Sequence, residues 1–467
     1  MELGLISAFQ KKLSPDSKKK IKRIAAYLPL RLRQSSTYSK WRQWLAANKN
    51  LSTAEIQAWQ LMKLKEIINF AYHNIPGYRE LYRQNKIQPE DITKLEDIRN
   101  LPFTTKDLFR DNLADFTLKN HNGDYITTGG STGIPFGFYE STKLREMEKA
   151  FMHDAWVSSG WDHLKVNAIL RGAYIGSQKQ FWDYDSFRKE LSLSSYFLTD
   201  KSLKNYCDII NSYDARILQA YPSSLNLLCD LLKDSPLKNS IHFDMILLGS
   251  ENIYPWHYEK FRKTFPDSKL FGWYGQAEKV IFAPWCEQTN QYHISPFYGY
   301  TEILTSKGKP ALPNEEGELV GTSFHSYITP FIRYKTMDIA VRGETGCDKC
   351  KRNYDMLKGI SGRSHEIIAT STGRFISMTA INMHDDLFDL LLQFQFYQER
   401  KGYLEFRFLP KRKLHDDEVA KIKQGLMVKL GKDIELSMKP VDEIPPTPSG
   451  KFQFLLQKLP FKYGDNN

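Results

Sequence analysis

Apolar positions follow three successive patterns along this chain. Between Thr53 and Tyr72 they recur at spacings of three and four (Ala58, Leu61, Leu64, Ile68, Ala71) and stop near Pro76-Gly77, which predicts a helical N-terminal region. From about residue 125 to 340, short β-branched and aromatic runs take over, such as AIL at 168–170, ARILQAY at 215–221 and DMILLGS at 244–250, with helical stretches between them. Strands alternating with helices predict a largely parallel sheet. After Gly362 the pattern shifts again. QFQFYQER and YLEFRFLP alternate as two strands, DDEVAKIKQGLMVKL is an amphipathic helix, and IELSMKPV is another strand. The expected fold class is α/β: a large N-terminal domain of mixed, largely parallel sheets and helices over 46–362, then a small α+β C-terminal domain over 363–467.

Charge adds a third piece, an arm over 1–45. Residues 1–42 hold eleven Lys or Arg against Glu2 and Asp16, so most of the net charge of +11 sits there and the body is nearly neutral. That distribution argues against a specific nucleic-acid partner. Within the arm, Ile21, Ile24, Ala25 and Leu28 fall at helical spacing before Pro29. The result is either a solvated basic arm or a short amphipathic helix resting on anionic lipid, where each basic residue near the surface adds about 1 kcal/mol. No apolar run approaches the roughly 18–20 residues that cross a bilayer, and no secretory apolar core opens the chain. The expected location is cytoplasmic, with contact at the inner face of the membrane left open, and five thinly spread cysteines read as reduced thiols.

The stretch TTGGSTGIPFGFY at 127–139 contains Gly129-x-Ser131-x-Gly133. A nucleophile elbow needs a strand, a tight turn and a helix directly behind it. Here Pro135 follows, and FGFYES alternates as a second strand, so the flanks spell a hairpin. A Walker A loop needs Lys then Ser or Thr after its last glycine, where this chain has Ile134 and Pro135. Two readings stay open from the residues alone: a plain hairpin turn, or a flexible loop whose amides and hydroxyls cradle a polyphosphate.

Downstream come GSE (249–251), WYGQAE (273–278), IRYKTMD (332–338), GRSHEI (362–367) and PPTPSGK (445–451), preceded by QLMKLKEIINFAYHNIPGYRELY and LPFTTKDLFRDN. In this order they resemble the motifs of the adenylate-forming ligase superfamily, nearest the branch of phenylacetate-CoA ligases and CapK-type capsular polysaccharide biosynthesis proteins. The resemblance implies a large AMP-binding domain and a mobile small domain that together convert a carboxylic acid and ATP to an acyl-adenylate, releasing pyrophosphate. An acceptor then takes the acyl group. It is CoA in one branch, and a glycan or lipid-linked sugar in surface polysaccharide biosynthesis in the other.

By the same resemblance, Thr127, Thr128, Gly129, Gly130, Ser131, Thr132 and Gly133 close over the leaving phosphates, so Ser131 binds and does not attack. Ser250, Glu251, Asn252, Tyr274 and Gly275 line the adenine, and Asp338 accepts hydrogen bonds from the ribose. Glu278 helps hold Mg²⁺ and Arg363 contacts the nucleotide near the domain junction. Lys451 stabilises charge on the carboxylate and α-phosphate, and Tyr221, Pro222 and Ser223 lie near the acyl pocket. Two positions depart from the pattern. Ile134 stands where the family commonly has Lys, and His365 where it has an acidic or lysine hinge. They leave open a rival reading, a catalytically impaired nucleotide-binding descendant that acts as an assembly partner.

Cys286, His293, Cys347 and Cys350 form a separate constellation. A Cys-x-x-Cys pair with a Cys and a His elsewhere supplies the four ligands of a structural Zn²⁺ site. The alternative is four unrelated residues. A redox pair fits less well, because GCDKCKRN is turn-rich with no helix pattern behind it.

Overall fold

Ser52 caps the helix expected from Thr53. Its hydroxyl accepts from the amide of Glu55, whose carboxylate accepts from the Ser52 amide in return, a capping box that fixes the first turn of a long helix. The computed structural model describes residues 33–128, 136–173, 175, 180–363, 367–372, 375–378, 381, 390–446 and 452–459. The basic helix expected over 21–28, Gly129, Gly130, Ser131, Thr132, Gly133, Ile134, His365 and Lys451 lie outside these.

Helices α1 (Ser36–Asn48), α2 (Thr53–Asn74), α3 (Pro76–Gln84) and α4 (Lys106–Asp111) form the N-terminal region. On α2, Leu64, Ile68 and Ala71 are buried as expected, but Ala58 is exposed and Ile56 and Ile67 complete the buried face. Strands β1 (Asp124–Thr128) and β2 (Phe136–Glu140) pair antiparallel with Thr128 opposite Phe136, so the glycine loop does join a hairpin. Helix α5 (Thr142–Ser158) follows and packs on α1 through the Arg42–Asp154 ion pair at 2.6 Å.

The central sheet comprises β3 (Asn167–Arg171), β4 (Trp182–Asp185), β5 (Glu190–Ser194), β6 (Ile217–Ala220), β7 (Met245–Leu248), β8 (Lys269–Gly275) and β9 (Phe282–Pro284), in the order β4-β5-β3-β6-β7-β8-β9. Pairing is parallel from β5 to β8 and antiparallel at both edges. Helices α6 (Leu203–Ser212), α7 (Pro222–Lys233) and α8 (Pro255–Thr264) connect its parallel strands. The MILL of β7 is buried at every position, as expected for a central strand of a sheet covered on both faces.

An antiparallel sheet follows: β10 (Tyr292–His293), β11 (Gly299–Leu304), β12 (Glu316–Ser323), β13 (Tyr334–Thr345) and β14 (Asp355–Arg363), ordered β10-β14-β13-β12-β11. Arg333, just ahead of β13, ties this sheet to the N-terminal region. Its buried guanidinium meets Glu302 at 3.1 and 3.2 Å and donates to the carbonyls of Arg99 at 2.7 Å and Leu101 at 2.5 Å. Thr104 then pairs with Tyr334 as a parallel bridge, which explains the LPFTT motif as scaffold for β13.

The C-terminal part holds a two-stranded sheet, β15 (Ile367–Ala369) with β16 (Phe375–Ser377), and a four-stranded one. The latter is built from β17 (Leu391–Gln398), β18 (Tyr403–Pro410), β19 (Glu435–Pro440) and β20 (Leu455–Gln457), ordered β19-β18-β17-β20. Helix α9 (Asp416–Leu430) buries Ile422, Leu426 and Leu430 in the same core as Phe396, Leu404 and Phe406. Tyr254 and Trp256, at the start of α8, join that core from the large α/β part.

His325 gives the fold a pH dependence. Its Nε2 donates to the carbonyl of Phe297 at 2.8 Å and Trp41 packs edge-on at 4.9 Å; burial drives its pKa down to about 4. The folded state therefore favours neutral imidazole, while the unfolded chain takes up a proton near 6.5. The stabilisation is complete above about pH 6.5 and is lost as pH falls toward 4. His325 alone is expected to cost about 2 kcal/mol between pH 7.5 and 5. Denaturant unfolding at both pH values checks this, and His325→Phe should remove that share of the loss; an equal loss in the variant contradicts it.

Candidate active site

The site assembles where β7, β8 and β13 end or begin. At the end of β7, Gly249 lies under the Trp273 ring, 2.5 Å from where a Cβ would stand, so no larger residue fits without displacing the indole. Ser250 follows with φ 69°, and Glu251 and Asn252 continue the loop. The Asn252 Nδ2 is buried and has no hydrogen-bond partner among the described residues. On β8, the Tyr274 hydroxyl donates to Oδ2 of Asp338 at 2.6 Å and accepts from Gln276 Nε2 at 2.6 Å. Burial, then the adjacent carboxylate, pushes the phenol far above its usual range, so Tyr274 remains a donor. Asp338 is itself buried, behind Met337 at φ 65°. Its amide donates to Thr336 Oγ1, and the strand register sets Arg363 opposite it. The predicted adenine-lining tyrosine and ribose-binding acid are thus in direct contact.

Glu278 sits in the turn after β8 and accepts from the Tyr334 hydroxyl at 3.0 Å, linking it to the head of β13. The turn is held from beneath. Lys279, at φ 55°, is buried with its ammonium 2.6 Å from Glu140 and 3.4 Å from Glu148. Burial raises the Glu148 carboxyl despite Lys279, with Glu140 adding to the rise. Gly299 and Gly321 complete the support: a Cβ on Gly299 would fall 2.2 Å from the Val280 carbonyl oxygen, and one on Gly321 2.7 Å from the Val280 Cβ. The sequence carries Lys279 one residue past the WYGQAE motif, but nothing in the sequence pairs it with Glu140 and Glu148, more than 130 positions away.

Glu251 faces elsewhere. Its carboxylate accepts from the Ser223 amide and hydroxyl, both at 2.9 Å, and from the Phe452 amide at 3.1 Å. Tyr221 and Pro222 precede Ser223 at the start of α7, and burial raises the Tyr221 phenol against the pull of Arg171. Beside them a cavity of about 1070 Å³ opens between α7, α8 and the C-terminal sheet; Ser223, Trp256, Phe394 and Phe452 are among its walls, and Tyr274, Glu278 and Asp338 are not. Thr127 is exposed on β1, and Gly275 is exposed at the end of β8.

Cys286, His293, Cys347 and Cys350 converge, with their ligand atoms all within 4.8 Å of one another. Cys286 Sγ lies 3.8 Å from Cys347 Sγ, and Cys350 Sγ lies 3.7 Å from His293 Nε2. A tetrahedron with Zn–S near 2.3 Å and Zn–N near 2.05 Å has edges of about 3.8 and 3.6 Å. The donor set therefore fits a closed tetrahedral metal site. Burial, then Arg352, lowers the His293 imidazole to about 4, which keeps it in the neutral, ligating form. Arg352 is occupied by Glu287 at 2.6 and 2.7 Å, a second link across the same two segments.

Residues 368–458 match a family model described as the CapK C-terminal domain. The chain is 23% identical over 415 residues to Protein CapK of Staphylococcus aureus, covering 86% of this chain and 89% of that one. It is 39% identical over 329 residues to a phenylacetate-coenzyme A ligase of Aromatoleum evansii, covering 68% of this chain and 72% of the relative. This chain belongs to the phenylacetate-CoA ligase family. A 2-hydroxyisobutyryl-CoA ligase solved in its postadenylation state shares the fold, with a TM-score of 0.71 at 16% identity over 88% of this chain and 91% of that one. This phenylacetate-CoA ligase family member is accordingly an adenylate-forming ligase. Among its described residues, no helix is long and apolar enough to cross a membrane.

Proposed function

We propose that this ligase activates a small carboxylic acid with ATP and passes the acyl group to CoA or to a glycan-linked acceptor. A carboxylate oxygen of the acid attacks the α-phosphorus of ATP, the bond to the bridging oxygen breaks, and pyrophosphate leaves. The acceptor nucleophile then attacks the acyl carbon and expels AMP. The observation that carries this reading is the Tyr274–Asp338 contact beside the Glu278 turn, in a chain of this family.

Asp338 offers its carboxylate to the ribose hydroxyls, oriented by the Tyr274 hydroxyl. The Asn252 Nδ2, without a partner among the described residues, supplies a donor for the base. Glu278 suits Mg²⁺, a hard cation usually held by one or two carboxylates plus substrate phosphates; bound there, the ion would neutralise charge on the departing pyrophosphate. Thr127 through Gly133, Arg363 and Lys451 take the roles expected from their motifs. Cys286, His293, Cys347 and Cys350 would hold structural Zn²⁺, which would cross-link β10 to the turn between β13 and β14. The similarity to Protein CapK over most of both chains supports a role in surface polysaccharide biosynthesis, and the basic arm suits an acceptor at a membrane surface.

ATP/pyrophosphate exchange across a panel of aryl, fatty, hydroxy and amino acids tests the reading. Acid-dependent exchange with at least one member is expected. Exchange with none moves the assignment to a nucleotide-binding assembly partner, the alternative that Ile134 and His365 leave open.

A further inference from the structure

We infer that Glu251 is a positioning residue: it fastens the C-terminal segment at Phe452 to the large α/β part and so sets the pose in which the ligase forms its adenylate. The inference rests on the adenylation reading above. A carboxylate only accepts hydrogen bonds, and here its two oxygens gather three donors among the described residues, from two distant parts of the chain. Ser223 is the second residue of α7, directly after Pro222. Its amide is one of the donors a helix start leaves without an internal partner, and the helix dipole favours an acidic group there. Phe452, 201 positions beyond Glu251, supplies the third donor.

Both sides of this contact lead directly into a sheet. Glu251 follows the fully buried strand β7, across a Ser250 whose φ of 69° turns the loop. Phe452 lies two residues before Phe454, whose carbonyl accepts from Phe396 at 2.7 Å as β20 joins β17. Phe454 packs edge-on against Tyr254 at 5.5 Å and Trp256 at 5.2 Å. Aromatic packing of that kind holds two surfaces together without fixing their register; hydrogen bonds to one carboxylate add direction. Phe452 directly follows Lys451 in the sequence, so the contact anchors the backbone one residue from the lysine on which adenylation depends. Displacement of a reacting group by about 1 Å can cost about 100-fold in rate.

Hydrogen–deuterium exchange and half-reaction kinetics on the full chain test this. Glu251→Ala should speed exchange in 452–459 at least about tenfold while α7 and β7 keep their protection. Phe452→Pro, which deletes the donor and leaves Glu251 in place, should do the same, and Phe452→Ala, which keeps the donor, should not. With the acid that the exchange panel identifies, Glu251→Ala should lower the kcat of pyrophosphate exchange about 100-fold with KM for ATP changed less than about threefold. Transfer from that acid's synthetic adenylate should stay within about twofold, and Glu251→Gln, whose amide oxygen still accepts from Phe452, should recover most of the loss. Unchanged exchange at 452–459 in both Glu251→Ala and Phe452→Pro overturns the proposal, as does a loss confined to KM for ATP, which would make Glu251 a direct nucleotide contact. If no acid supports exchange in the wild type, the proposed function fails, and the hydrogen-exchange result alone decides whether Glu251 docks the C-terminal segment.

Discussion

Replacing Lys451 with alanine is expected to lower acid-dependent ATP/pyrophosphate exchange by at least about 100-fold, with Tm within about 1 °C of the wild type. The reason is where charge develops. As the acid's carboxylate approaches the α-phosphate, two anions are brought together before pyrophosphate departs, and a positioned ammonium offsets that repulsion only while the pair is close. Removing one such electrostatic contact from a preorganised site costs about 3 kcal/mol or more in the barrier, which is the expected factor. Lysine side chains are almost never fully buried unless paired, so folding should not register the loss of this one. Transfer from a preformed adenylate should persist, because the charged step has been bypassed. Normal exchange in Lys451→Ala would refute the assigned role.

The cysteine–histidine cluster carries the second large effect. Protein purified without added metal is expected to contain about one zinc per chain, and Cys347→Ser with Cys350→Ser should abolish it and lower Tm by about 10 °C or more. Ligand spacing already matches a tetrahedron: 3.8 Å between Cys286 and Cys347 sulfurs and 3.7 Å from Cys350 Sγ to His293 Nε2. Three of the four residues are buried, so without an ion their polar atoms would face one another with little solvent to satisfy them. Elemental analysis reads the stoichiometry, and thermal unfolding with and without a chelator reads the dependence. No zinc in the wild type, or a Tm indifferent to the double substitution, removes the site.

Much of the architecture was legible because it is written at short range. The runs at 168–170, 215–221 and 244–250 became β3, β6 and β7, and the four elements read after Gly362 became β17, β18, α9 and β19 within a few residues. Alternation and helical spacing are local signals, so they survive without knowledge of the fold. The cysteine–histidine cluster was also visible, since three thiols and an imidazole at ligand spacing stand out in a chain with five cysteines. What escaped depends on closure. Lys279 reads as one more surface lysine until β2 and α5 bring Glu140 and Glu148 beneath it. Glu251 sits within a stretch expected from its resemblance to bind nucleotide, yet its carboxylate is engaged by Ser223 and Phe452, partners 28 and 201 positions away. On α2, Ile56 was missed and Ala58 wrongly included, because a small residue at the right spacing fits either face.

Arg333 has a consequence for how such a chain comes into being. The segment from Arg99 to Thr104 gets its hydrogen-bonding partners from residues 332–335, so more than 220 residues must be made before it can settle. A ribosome adding roughly 5–20 residues per second leaves the apolar faces of α2 and α3 without their final cover for ten seconds or more. Tyr78, wholly buried in the finished protein with its hydroxyl between the Pro330 carbonyl and the Ile332 amide, is made 252 and 254 residues before these partners. The N-terminal helices are therefore completed from behind by the second half of their own chain.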